Sequence, residues 1–379
     1  MVYLTRKVLL VSLLAVLVSA CGPDENAAKD TSAEDAGANT GTGGSSGAGG
    51  SGGGGQAQIT PETFGQKEQW NWVGFDDAVC ANGEKTGIGV NWTDKSDKLV
   101  IFIEGGGACW DGMTCHTIGT AVNVADGYTE LKFKSEIDDL YPFRRDDTKN
   151  PFKDASFVFI PYCTGDVHSG DKVSVYGGKE THHKGYVNVT NYLKKLGPAF
   201  AKSSHVLLSG SSAGGFGTLV NWEQVQKTFP NVRVDVLDDC GTLLPPPYLS
   251  DAKDRQFRSA WNIQVPPECT DCTTNLSAAA NYYAAKMPNN KMALLAYLED
   301  RVLSNFYGKP GPEIAKGTWA LYDDILSKHK NFQVYYVPGS QHVMLHKMHS
   351  LKQNDVLLRD WLDQFYKDDA AWKSVLAPR

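Results

Sequence analysis

The chain has 379 residues, a formal net charge of −6, and 41% hydrophobic with 11% aromatic residues. That balance suits one sizeable globular domain and excludes a largely disordered chain, and the mild acidity argues against nucleic acid or another polyanion as partner.

At the N-terminus, Arg6 and Lys7 precede an apolar run from Val8 to Val18, followed by Ser19-Ala20-Cys21. A positive start, a short apolar stretch and small residues predict an export signal over residues 1–20. The run is too short for a comfortable membrane span. Leu17-Val18-Ser19-Ala20-Cys21 resembles a bacterial lipobox, so Cys21 is expected to become the acylated N-terminus of a lipoprotein. Residues 21–58 are polar and then Gly/Ser-rich; they have too little apolar surface to offset their ordering entropy and read as a flexible tether. A coil of roughly 37 residues spans about 30–35 Å. The expected setting is an exported bacterial lipoprotein at the outer membrane or cell surface, since Gly22 rather than Asp follows the cysteine. Residues 59–379 form the predicted folded domain.

Within that domain, Trp70–Phe75 and Gly87–Trp92 read as early strands or turns. Lys98–Glu104 is an unbroken apolar strand, as expected for a sheet covered on both faces, and it opens into Gly105-Gly106-Gly107-Ala108-Cys109-Trp110. Ser156–Cys163 is a second buried strand, followed by the polar loop Thr164–Gly170. Residues 185–201 suit a helix. Val206–Leu208 then leads through Gly210-Ser211-Ser212-Ala213-Gly214 into an apolar helical pattern. Val232–Asp239, Lys291–Tyr297 and Asn331–Val337 continue the strands, with helices between them, including 317–329, and a last helix expected over Val343–Leu358. Alternating strand and helix predicts an α/β fold with a mostly parallel sheet and helices on both faces, its ligand beyond the strands' carboxyl ends.

Gly210-x-Ser212-x-Gly214 has the form of a nucleophile elbow: a serine on a strained strand-to-helix turn whose small neighbours tolerate the crowding. Ser212 holds the central position, and Ser211 is the competing serine. The N–H of Ala213, with those of Gly106 and Gly107 in the upstream glycine run, are the candidate oxyanion donors. His342, in the loop after Val337, is the candidate base over His329, His346 and His349. The acid is Asp300, after the second strand beyond the nucleophile, with Asp238, Asp239 and Glu299 as alternatives.

These residues resemble the pectin acetylesterase family, which also contains the animal Notum carboxylesterases. The resemblance is carried by Glu104-Gly105-Gly106-Gly107-Ala108-Cys109 with Cys115, Pro161–Asp166, Gly210–Gly215, Asp239-Cys240-Gly241 and Gly339–His342. It implies an α/β-hydrolase fold, a Ser212-Asp300-His342 triad, and no metal or other cofactor. Trp110 and Phe216 would line the pocket, and Asp166 and Asp239 would border the substrate. The family's usual aromatic after Gly-Gly-Gly is Ala108 here, with Trp110 just beyond Cys109. A Cys109–Cys115 bridge would close the oxyanion loop, and the family likeness implies Cys80–Cys163. Of Cys240, Cys269 and Cys272, a bridge that includes Cys240 is expected, in preference to zinc at Cys269-x-x-Cys272. The functional expectation is a monomeric serine carboxylesterase acting on carboxylic esters, including O-acetyl groups of polysaccharides. The alternatives are a lipid or protein deacylase of the Notum type and a non-catalytic carbohydrate-binding lipoprotein.

Overall fold

The computed structural model describes residues 59–137 and 142–379, so the predicted export signal, Cys21 and the tether lie outside the described residues. The strands of the main sheet are β1 (Asn71–Val79), β2 (Lys85–Asn91), β3 (Lys98–Ile103) and β4 (Ser156–Ile160). After the small hairpin β5 (Lys172–Tyr176) and β6 (Lys179–His183) come β7 (His205–Ser211), β8 (Arg233–Asp239), β9 (Met292–Tyr297) and β10 (Phe332–Val337). The order across the sheet is β1-β2-β4-β3-β7-β8-β9-β10. β1 and β2 pair antiparallel, as do β2 and β4, and every pairing from β4 to β10 is parallel.

The helices are α1 (Glu130–Glu136), α2 (Gly185–Ala199), α3 (Ala213–Thr228), α4 (Asp251–Trp261), α5 (Ala278–Lys286), α6 (Arg301–Tyr307), α7 (Gly311–Asp324) and α8 (Leu358–Tyr366). They cover both faces, which is why the central strands carry no polar alternation. Side chains along a strand point to opposite faces. Leu99, Ile101 and Ile103 of β3 therefore join one core with Leu196 of α2 and Trp222 of α3. Val100 and Phe102 join the other, with Phe133 of α1 and Trp361 of α8.

Two expectations fail. The helix expected over Val343–Leu358 is a 3-10 turn at Leu345–Lys347 followed by the hairpin β11 (Lys352–Gln353) and β12 (Val356–Leu357). Val343, Asn354 and Asp355 have φ of 53°, 49° and 61°, left-handed values that break a right-handed helix. Disulfides join Cys80 to Cys163 and Cys109 to Cys115, but the third joins Cys269 to Cys272 and leaves Cys240 free and buried. The tight turn at Asp271–Thr273 brings the Cα atoms of Cys269 and Cys272 to 5.3 Å, within bridging range. Cys240 is fully enclosed at the end of β8.

Candidate active site

β7 ends at Ser211, and α3 begins at Ala213. Ser212 between them has φ 57° and ψ −120°, a strained conformation for a non-glycine residue that its surroundings must enforce. Its N–H donates to Asp239 O at 2.8 Å, and its carbonyl accepts from Phe216 N at 3.1 Å. The turn is crowded: a Cβ on Gly210 would strike Gly214 O, and one on Gly214 would strike Ile103 O.

The Ser212 hydroxyl oxygen lies 2.7 Å from His342 Nε2, and His342 Nδ1 lies 2.6 Å from Asp300 Oδ2. Asp300 caps α6, its other oxygen accepting from Val302 N at 2.9 Å and Leu303 N at 3.0 Å. That carboxylate therefore acts as an acceptor on both oxygens, which makes His342 Nδ1 the donor and leaves Nε2 as the acceptor for Ser212. The loops after β9 and β10 run on together as well: Leu298, Glu299 and Arg301 donate backbone N–H bonds to Val337, Gly339 and Ser340. The strand order thus delivers Asp300 beside His342.

The glycine run is gripped from behind. His168 Nε2 donates to Glu104 O at 2.8 Å, Val122 N to Gly106 O at 2.9 Å, the Tyr162 hydroxyl to Gly107 O at 2.9 Å, and the Thr120 hydroxyl to Ala108 O at 2.6 Å. Burial pushes His168 down to about 4, so it holds this loop as a neutral imidazole. In a trans peptide the C=O and the following N–H point opposite ways. With Gly106 O turned toward Val122, the Gly107 N–H faces away from that support. Among the described residues no acceptor takes the N–H of Gly107 or of Ala213, and both residues line the same cavity as Ser212. Ala213 opens α3, so its N–H has no intrahelical acceptor. Gly106 does not line the cavity; its φ of 148° and the approach of Val122 make it the packed hinge of the loop.

Asp166 and Asp239 do not border that cavity. Both are fully buried. Asp166 accepts from the Thr164 hydroxyl, His168 N, Gly170 N and Gly185 N, and so shapes the loop that grips the glycine run. Asp239 accepts from the Ser211 hydroxyl at 2.8 Å, Met344 N at 2.7 Å and Leu345 N at 3.2 Å. Burial holds its carboxyl above the usual range, and these three donors offset only part of that rise. Trp110 stands behind the wall, its ring 5.1 Å from Phe257 and 6.2 Å from Phe306, with Lys253 Nζ 4.4 Å from the ring. His346 and His349 lie beyond the loop, and His349 pairs with Asp147 at 2.8 Å.

A pocket walled largely by apolar side chains opens at Ser212, the lining expected of a small-molecule site. Phe216, Phe257, Trp261, Ile263, Leu303 and Phe306 are among the side chains of its wall. Apart from Phe216, none of these was singled out from the sequence. The available signal was the apolar face of two short segments, 251–261 and 301–307, whose apolar residues face Ser212 instead of the sheet.

A mostly parallel sheet, a serine on a strained turn after its central strand, and a histidine and carboxylate on later strand ends define the α/β-hydrolase class. The chain belongs to the pectinacetylesterase family, whose model matches residues 72–302. It is 30% identical over 173 residues to palmitoleoyl-protein carboxylesterase notum2 of Xenopus laevis, covering 44% of this chain and 35% of that protein. To human palmitoleoyl-protein carboxylesterase NOTUM it is 29% identical over 212 residues, 53% of this chain and 38% of the other. The chain thus spans well under half the length of these relatives. Among solved structures, the Wnt deacylase Notum from Drosophila superposes with a TM-score of 0.61 at 18% identity, covering 82% of this chain and 96% of that one. That match is one of fold.

Proposed function

We propose that this protein is a serine carboxylesterase whose preferred substrates carry an apolar acyl chain, and that an acylated Cys21 tethers it to a bacterial membrane surface. The observation that carries the reading is the unbroken contact from Asp300 through His342 to Ser212 at the edge of a cavity walled by aromatic and aliphatic side chains. In this reading the Ser212 hydroxyl attacks the ester carbonyl as its proton passes to His342 Nε2, and Asp300 stabilises the resulting imidazolium. The carbonyl oxygen, now negative, is met by the N–H groups of Gly107 and Ala213. His342 then gives its proton to the departing alcohol. Water repeats the sequence on the acyl-enzyme and releases the acid.

A second reading, removal of O-acetyl groups from polysaccharide, has the family's own name in its favour. An acetyl group would contact few of the apolar side chains that line the pocket. Each further buried methylene contributes about 0.8 kcal/mol, so a series of p-nitrophenyl esters should gain about fourfold in kcat/KM per methylene until the cavity is full. Ser212→Ala should abolish turnover of every member without loss of folding. Highest activity on the acetate ester, with acetate released from acetylated pectin or xylan, would replace the first reading with the second. Hydrolysis by Ser212→Ala at the wild-type rate would remove both.

A further inference from the structure

The one thiol outside a disulfide among the described residues lies beneath the catalytic histidine. Cys240 follows Asp239 at the end of β8 with φ 63°, its N–H bonded to Leu295 O at 3.0 Å. Its sulfur faces the backbone of Tyr297 and Val343, the residue after His342. The Cys240 sulfur, one Asp300 oxygen and one His342 nitrogen all lie within 4.8 Å of one another. A buried carboxylate, an imidazole and a thiol around one point form a ligand set suited to a soft or borderline divalent cation and poorly suited to a hard one. On a tetrahedral ion with bonds of about 2.0–2.3 Å, such ligand atoms sit roughly 3.3–3.7 Å apart. Shifts of about 1 Å in the sulfur and the imidazole would therefore close the set.

We infer that Cys240, Asp300 and His342 form an inhibitory site for a thiophilic divalent cation such as zinc(II) or cadmium(II). Binding replaces the proton shared between His342 Nδ1 and Asp300. The thiol proton is released to solvent, and bonds form from the ion to sulfur, to Nδ1 and to the Asp300 oxygen. The imidazole keeps its single proton, moved from Nδ1 to Nε2. In that tautomer Nε2 is a donor toward Ser212, so it can no longer accept the serine's proton, and the nucleophile is disarmed without being touched. The site is sheltered from hard ions by its chemistry, and the His342 side chain that covers it is 7% exposed.

The role of His342 and Asp300 rests on the proposed esterase reading, and the test separates the two. Purified full-length protein is titrated with cadmium chloride, zinc chloride and magnesium chloride, and ester hydrolysis is read as a fraction of each variant's own metal-free rate. The same titration is followed by the ultraviolet absorbance of cadmium-thiolate bonds. Cadmium and zinc, but not magnesium, should inhibit the wild type, and a chelator should restore the rate. In Cys240→Ser and Cys240→Ala the inhibition constant should rise by about 100-fold, and the cadmium-thiolate absorbance should fall by one thiol equivalent. Two variants guard against one that fails to fold. Equal inhibition of wild type and both variants, or inhibition that a chelator does not reverse, would overturn the site. An absorbance change that depends on Cys240 in a protein without esterase activity would keep the cation site and overturn the esterase reading instead.

Discussion

Three hydrogen-bond donors converge on the Asp239 carboxylate: one from Ser211, beside the nucleophile, and two from Met344 and Leu345, just past His342. Its position is that of a clamp between the serine turn and the histidine loop. An amide in its place offers one acceptor and turns two N–H donors of its own on groups that also donate. An unsatisfied buried donor costs about 1–3 kcal/mol, so Asp239→Asn should lower kcat by about 10- to 100-fold with little change in KM. Asp300→Asn, which removes the acceptor for His342 itself, should cost up to ~10⁴. Steady-state kinetics on both folded variants check the ranking, and a change confined to KM in Asp239→Asn would return that residue to the substrate's side. The positions of Ser212, Asp300 and His342 were legible because reactive side chains on strand ends follow from strand order. Asp166 and Asp239, expected beside the substrate, are instead fully buried and away from the cavity lining. A carboxylate beside a reactive serine looks the same in sequence whether it meets substrate or satisfies buried backbone donors. The left-handed φ values of Val167, His168 and Cys240 mark the tightly bent chain these two carboxylates support.

The glycine loop and the serine turn act as one packed unit. A Cβ on Gly105 would strike Ser211 O and come within 2.9 Å of Ser212 Cβ, so Gly105→Ala must push the two loops apart. The loss of one oxyanion donor costs about 10²–10³ in turnover. Gly105→Ala should approach that loss while thermal unfolding shifts only modestly, a contrast that rate measurements and calorimetry will show. Among the elements, the buried strands were readable because runs such as Lys98–Ile103 and Met292–Tyr297 are apolar on both faces. The segment after His342 was not, since its apolar residues fall at helical spacing. The turn between β11 and β12 is Asn354-Asp355, a pair tolerant of positive φ, and that local preference prevails over the periodicity. The pairing of Cys269 with Cys272 likewise depends on a turn of three residues that spacing alone does not reveal.

On the scale of the whole molecule, the proposed tether would set a domain beginning near Ile59 at a root-mean-square distance of about 30–35 Å from its anchor. Cys21→Ser should therefore shift the protein from the membrane to the soluble fraction and abolish labelling by palmitate, with hydrolysis of soluble esters unchanged. Labelling equal to wild type would dismiss the anchor. The disulfides are unevenly placed relative to the site. Cys109–Cys115 follows the glycine run, and Cys80–Cys163 closes 83 residues of chain just before the loop that grips it. Cys269–Cys272 closes a short turn between the pocket residues Ile263 and Leu276, and among the described residues the free cysteine, Cys240, is the one near Asp300 and His342. A chain still in a reducing cytoplasm would then possess its nucleophile and base before the cradle for the developing negative charge is fastened. Under the proposed export, crossing the membrane would itself be the arming step, and the cell's own esters would be spared until the enzyme has left them behind.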